Sequence, residues 1–249
     1  MLESHSLHDV YRISETSWIK VAYDHTEAAS ERIERDHATS MFLGHPVDLG
    51  LSDDGRTQMQ IEHLGTTPNR LGADMLERLV RYSALTGAGR DGVDVLAERA
   101  RGDLAVRMSA GPGAESARGY LMGVLEASDL NALRGDVLAH TDPHRGNWVV
   151  DESGTARLID WESASSADPH LDLGALLFSA VLEGNVPLVE AITDRCGDQH
   201  ALDTGYRLKA VRGLSHAWML DLEAGRDAFD CLDDRIVRLN QARPSAGLI

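Results

Sequence analysis

The sequence predicts an α+β fold in two lobes: a small β-rich N-terminal lobe with one main helix, then a larger, mostly helical C-terminal lobe. Three observations carry that prediction. Beta-prone runs crowd the first 64 residues around a single amphipathic stretch. Apolar residues recur at helical spacing through most of the remainder. A short strand–turn–strand unit interrupts the helical part between Asn147 and Ile159. The lobes are placed at residues 1–64 and 65–249.

In the first lobe, Asp9–Ser14 and Ser17–Tyr23 are beta-prone runs joined by a short polar link, and Arg56–Leu64 is the last strand. Thr26–Leu43 reads as a helix, capped by Asp24 or Thr26 and stopped near Gly44 and Pro46. Glu34, Ala38 and Met41 recur at i, i+4 and i+7 and share one face, with Ala29 and Ile33 beside it. Lys20 stands in the apolar run Trp18-Ile19-Lys20-Val21, where its ammonium must reach solvent or meet an anion. An inward-facing helix would present Glu34 to it; Glu31, nearly a turn away, is the rival.

In the second lobe, Asp74–Thr86 and Asp94–Arg107 read as helices separated by the Gly87–Gly92 break. Gly111-Pro112-Gly113 interrupts again, and a helix from Glu115 to about Leu133 leads into the strand Val137-Leu138-Ala139. Leu173, Leu176, Leu177, Ala180 and Val181 form a helical stripe ended by Gly184-Asn185, with Pro187 opening the next helix. Leu208, Val211, Ser215, Trp218, Met219 and Leu222 form another. Both stripes are core positions.

The chemistry is concentrated in His140-Thr141-Asp142-Pro143-His144-Arg145-Gly146-Asn147 and in Asp160. Four residues between Asp142 and Asn147 let a tight loop turn back, so that a base and a metal ligand face one pocket. The run from Asn147 to Asp151, the turn Glu152–Thr155 and the return strand Ala156–Ile159 then bring Asp160 beside Asn147. That set suits phosphoryl transfer from a nucleotide: Asp142 accepts the proton of an attacking hydroxyl, while Asn147 and Asp160 hold magnesium on the phosphates.

From His140 to Leu177 the chain resembles the aminoglycoside phosphotransferase and choline kinase group, relatives of the protein kinases. That group shows His-Gly-Asp-x-His-x-x-Asn, Ile-Asp-Trp and Asp-Pro-x-x-Asp-Leu. The last two stand here as Ile159-Asp160-Trp161 and Asp168–Leu173, whereas Thr141 replaces the usual glycine. The resemblance implies a two-lobed protein-kinase-like fold with a truncated N-lobe, since the usual first strand is largely missing. It implies that Lys20, braced by Glu34, grips the α- and β-phosphates of ATP or GTP. Ser4 and Ser6 would lie in the phosphate-covering loop, the Ile61 carbonyl and His63 amide would meet the nucleobase with Gln60 behind it, and His144 would reach toward the transferred group. Asp168 and Asp172 would brace the catalytic loop, and Glu162 would stand behind the metal or at the substrate rim.

Composition narrows the partners. The net charge of −16 leaves no basic stripe for nucleic acid and would attract a cationic substrate. No apolar run has the length of a membrane span, and no secretion signal precedes the first strand, so a cytoplasmic enzyme is expected. Cys196 and Cys231 lack metal-ligand spacing and read as reduced packing residues. The expected acceptor is an alcohol, either on a small hydroxylated, aminoglycoside-like molecule or on a Ser/Thr side chain of a peptide. The reduced N-lobe would suit a partner protein that completes it. A non-catalytic kinase-like binding module is the alternative of another class. A metal hydrolase is more remote, because no second histidine sits at ligand spacing on a helix.

Overall fold

The computed structural model describes residues 8–14, 17–45, 47–62, 65–87 and 91–242. In chain order the first elements are β1 (His8–Arg12), β2 (Ser17–Ala22), α1 (Glu27–Phe42), β3 (Val47–Leu51), β4 (Thr57–Glu62), α2 (Ala73–Tyr82), α3 (Gly92–Arg107) and α4 (Ala114–Glu126). They are followed by β5 (Val137–Ala139), β6 (Trp148–Val150), β7 (Ala156–Leu158), β8 (Ser165–Ala167), α5 (His170–Leu182), α6 (Val186–Arg195), α7 (Gln199–Glu223) and α8 (Ala228–Ala242). Two compact units result, residues 1–70 with 142–164 and residues 71–141 with 165–249. The strand–turn–strand segment thus clusters with the N-terminal elements.

In the first unit an antiparallel sheet runs in the order β1-β2-β4-β3. Strand β3 was not expected from its sequence, Val-Asp-Leu-Gly-Leu, because Asp and Gly are poor strand formers. Its register with β4, Leu49 opposite Met59, supplies what propensity lacks. Ala22, Ile33, Val47 and Met59 are buried together, with Ala29 and Ile61 packed on them, so β2, β3, β4 and α1 share one small core. Thr26 caps α1 by accepting from the Ala29 N–H, and Gly44, at φ +77°, lets the His45 N–H return to the Ser40 carbonyl. The hairpin of β6 and β7 is turned by Asp151, whose carboxylate accepts from the Ser153 and Thr155 amides. A side chain on Gly65 would collide with the Val150 carbonyl; without one, Thr66 bonds Val150 in both directions, at 3.0 and 2.9 Å.

The second unit is built on α5 and α7. Both faces of α5 are buried, including Leu171, Leu176, Leu177 and Phe178, as expected of a central helix. It meets α7 at a pair of glycines: a side chain on Gly174 would strike the Gly205–Tyr206 backbone, and one on Gly205 the His170 carbonyl. Phe178 and Tyr206 pack edge to face beside that crossing, 6.0 Å apart. The helix expected from Glu115 to Leu133 ends at Glu126, and Asp129 caps a separate short turn at Leu130–Leu133. β5 pairs with β8, a strand too short to stand out in the sequence. α8 was likewise not anticipated. Among the described residues, no helix is long and apolar enough to cross a membrane.

Candidate active site

The loop before Asp142 is held from α5. Asp172, in the first turn of that helix, accepts the His140 N–H on one carboxylate oxygen and the Thr141 N–H on the other, each at 2.6 Å. All three residues are buried. Thr141 has φ +73°, a left-handed conformation that a β-branched side chain adopts only under strain. This gives a physical reason for the glycine that related sequences carry there: the turn needs a positive φ, and glycine takes it without cost. Asp168 accepts the His170 N–H at 2.9 Å and contacts the His170 ring, bracing the start of α5.

From Asp142 to Asn147 the loop closes on itself. The Asp142 carbonyl accepts from the His144 N–H (2.8 Å) and from Asn147 Nδ2 (3.0 Å). That bond uses the nitrogen of the Asn147 amide, so Oδ1 is the atom of this side chain that could meet a cation. His144 Nδ1 accepts from the Gly146 N–H at 3.0 Å, so its ring caps its own turn, and Trp148 Nε1 donates to the Pro143 carbonyl at 3.2 Å. The Ile159 N–H donates to the Asn147 carbonyl at 2.8 Å. The hairpin therefore returns the chain to Asn147 one residue before Asp160.

Asp160 also has a positive φ, +70°, and its carboxylate lies against the Lys20 ammonium. Lys20 reaches two further carboxylates, Glu162 at 2.7 Å and Asp36 at 2.9 Å. Burial works against the ammonium, but the charges of Asp160, Asp36 and Glu162 outweigh it and hold the Lys20 pKa above its ordinary value. Asp36 is wholly buried on α1. Burial pushes its carboxyl upward and Asp160 adds to the push, against the pull of Lys20 and the Trp161 amide. Both directions reflect one ammonium shared among three carboxylates. The second Asp36 oxygen accepts the Trp161 N–H at 2.9 Å and the Ser40 hydroxyl at 3.3 Å. Asp36 thus ties Lys20 to the backbone that follows Asp160. Arg35 adds a bond to the Glu162 carbonyl at 3.0 Å.

This corrects the expected pairing of Lys20 with Glu34. Glu34 is exposed, as are Glu31, Ala38 and Met41, and the inward face of α1 carries Ile33, Asp36 and Ser40. The signal was present in the helical angles. At about 100° per residue, Ala29, Ile33, Asp36 and Ser40 fall within about 60° of one another, whereas Glu34 lies about 100° from Ile33. Ile33 is the large apolar residue of the helix centre and should have set the inward face. Ile61 sits in β4 opposite Trp18 of β2. Trp18 lies two residues from Lys20, hence on the same sheet face, and the Arg12 guanidinium lies over its ring at 5.6 Å. Ser4, Ser6 and His63 lie outside the described residues.

Oxygen donors of this kind suit magnesium, which is typically held by one or two carboxylates together with substrate phosphates. Among the described residues, no group of three or more His, Cys, Asp or Glu side chains is arranged to hold a metal unaided. Asp160, Glu162 and the Asn147 amide oxygen fit the shared kind of site.

Comparison with known proteins agrees with this fold. Among solved structures, the fold is similar to choline kinase LicA from Streptococcus pneumoniae, at 17% identity over 97% of this chain and 91% of that one, TM-score 0.61. It is similar to a thermostable mutant of aminoglycoside phosphotransferase APH(4)-Ia in ternary complex with ADP and hygromycin B, at 16% identity over 99% and 94%, TM-score 0.58. A variant of aminoglycoside 2'-phosphotransferase IIIa in complex with GDP matches at 14% identity over 94% and 92%, again with TM-score 0.58. Residues 18–207 match the model of the phosphotransferase enzyme family, known as APH, and the chain belongs to that family.

Proposed function

We propose that the protein transfers the γ-phosphoryl group of ATP, or of GTP, to the hydroxyl of a small molecule, with magnesium. The observation that carries this reading is the joining of two segments: the Asp142–Asn147 turn closes on itself and accepts the Ile159 N–H at the Asn147 carbonyl, one residue before Asp160, while Lys20 lies against the Asp160 and Glu162 carboxylates. Magnesium, when bound, would supply positive charge against the negative charge developing on the transferred group. Asn147, Asp160 and Glu162 would hold it. Lys20, positioned by Asp36, binds phosphate oxygens; Trp18 and the Ile61 edge of β4 form the wall for the nucleobase. Asp142 orients the acceptor hydroxyl and takes its proton, and His144 stands two residues on. The protein's contribution is positioning and charge stabilisation.

The acceptor reading draws on the relatives, one a choline kinase and another complexed with hygromycin B, and on the net charge of −16, which favours a cationic amino-alcohol. Phosphate transfer from ATP and from GTP to aminoglycosides, choline and other amino-alcohols, and Ser/Thr peptides, read by mass, tests it. Transfer to a small amino-alcohol is the expected result. Transfer to peptide alone would move the acceptor class, and nucleotide binding without transfer to any acceptor would favour a binding module.

A further inference from the structure

The Lys20 contacts carry an inference that rests on the phosphotransferase reading and goes beyond it. The three carboxylates around this ammonium are not equivalent. The Asp36 side chain is 1% exposed and bonded on its far side to the Trp161 amide, whereas the Asp160 side chain is 40% exposed and that of Glu162 17%. Asp36 is a fixed, enclosed partner, and the Glu162 oxygen that meets the ammonium is buried as well, so Asp160 is the carboxylate of the three that a cation from solution can reach. The ammonium lies on that same carboxylate.

We propose that Lys20 is the resident counter-ion of the metal site. The ammonium and a divalent cation then exclude one another from Asp160 until phosphate oxygens draw the ammonium off. Two cations cannot share one carboxylate at contact distance without strong repulsion in a partly buried pocket. Lys20 need not leave the site when it yields Asp160, because Asp36 remains beside it at 2.9 Å. The consequence is a change of sign. Lys20 opposes metal binding to the free protein and favours binding of the metal–nucleotide complex, so metal alone loads poorly and metal with nucleotide loads together.

Manganese, followed by the loss of its free-ion electron paramagnetic resonance signal, reads both states. Lys20→Met should bind manganese at least tenfold more tightly than the parent without nucleotide, and bind manganese with a non-hydrolysable ATP analogue more weakly. Lys20→Arg, which keeps a cation, should not tighten nucleotide-free binding. If Lys20→Met does not fold, Lys20→Met/Asp36→Asn removes opposite charges together and keeps an acceptor for the Trp161 amide; it should show the same tightening. Unchanged or weaker nucleotide-free affinity in the folded variant overturns the proposal. The underlying reading fails differently: the parent would not take up manganese with the nucleotide analogue at all.

Discussion

Two buried aspartates, one in each unit, face opposite charge balances. Asp36 shares a single ammonium with Asp160 and Glu162. Asp221, also wholly buried, is contacted by two guanidiniums, Arg235 from α8 and Arg226 from the α7–α8 turn, with Arg235 Nη2 at 3.1 Å. Around Asp221 the chain brings enough positive charge to settle the carboxylate, and its pKa is held below the ordinary value, first by the Arg235 hydrogen bond. Around Asp36 it does not. A cluster that satisfies itself holds helices together; one left rich in carboxylates is ready for a cation the chain does not carry.

The sharpest way to break that contrast is to remove carboxylates from each region and compare function with stability. Asp142→Asn should keep its fold and its nucleotide affinity yet lose about 10²- to 10⁴-fold in kcat, the usual scale for a lost general base. Steady-state kinetics beside a melting curve would check it, and near-normal turnover would remove Asp142 from the base role.

Asp221→Asn should do the reverse, costing about 3 kcal/mol of stability because two guanidiniums lose a buried partner, with kcat in the folded fraction little changed. The pH dependence has a definite sign. A depressed carboxyl pKa contributes stability that is present above about 3.8, the ordinary value, and is lost as pH falls below it. The gap between parent and variant in chemical denaturation should therefore narrow in that acid range; a constant gap would mean that packing, not charge, is lost.

Within the proposed nucleotide site, Lys20→Ala and Asp36→Ala should impair the same step non-additively, with a coupling of about 1–3 kcal/mol in kcat/KM. Glu34→Ala and Glu31→Ala should be nearly silent. Additive losses, or a large Glu34 effect, would contradict the inward face assigned to α1.

The smallest expected effect concerns Thr141 and Asp160, the two non-glycine residues at positive φ among the described residues. At Thr141, glycine should give a more stable protein than alanine by about 1 kcal/mol, the opposite of their order in ordinary helices and strands. Alanine keeps the left-handed strain and loses the same packing. Equal melting temperatures for the two variants would show that Asp172 relieves the strain fully.

The order of most elements and the residue set of the central loop were legible in the chain alone. Asp142, Asn147 and Asp160 are set by short spacings and one hairpin, so their grouping follows from local geometry. The stripes of α5 and α7 were equally legible, because apolar periodicity needs no partner to be seen. The partner of Lys20, the existence of β3 and β8, and the strained turn at Thr141 followed from packing alone. Each depends on what packs from far along the chain: α1 rotates to bury Ile33 and so presents Asp36 rather than Glu34. β3 is a strand because β4 pairs with it, and Thr141 holds its left-handed turn between amides fixed by Asp172, thirty-one residues away. Local sequence specifies which groups are available, whereas burial and long-range hydrogen bonds decide which of them meet.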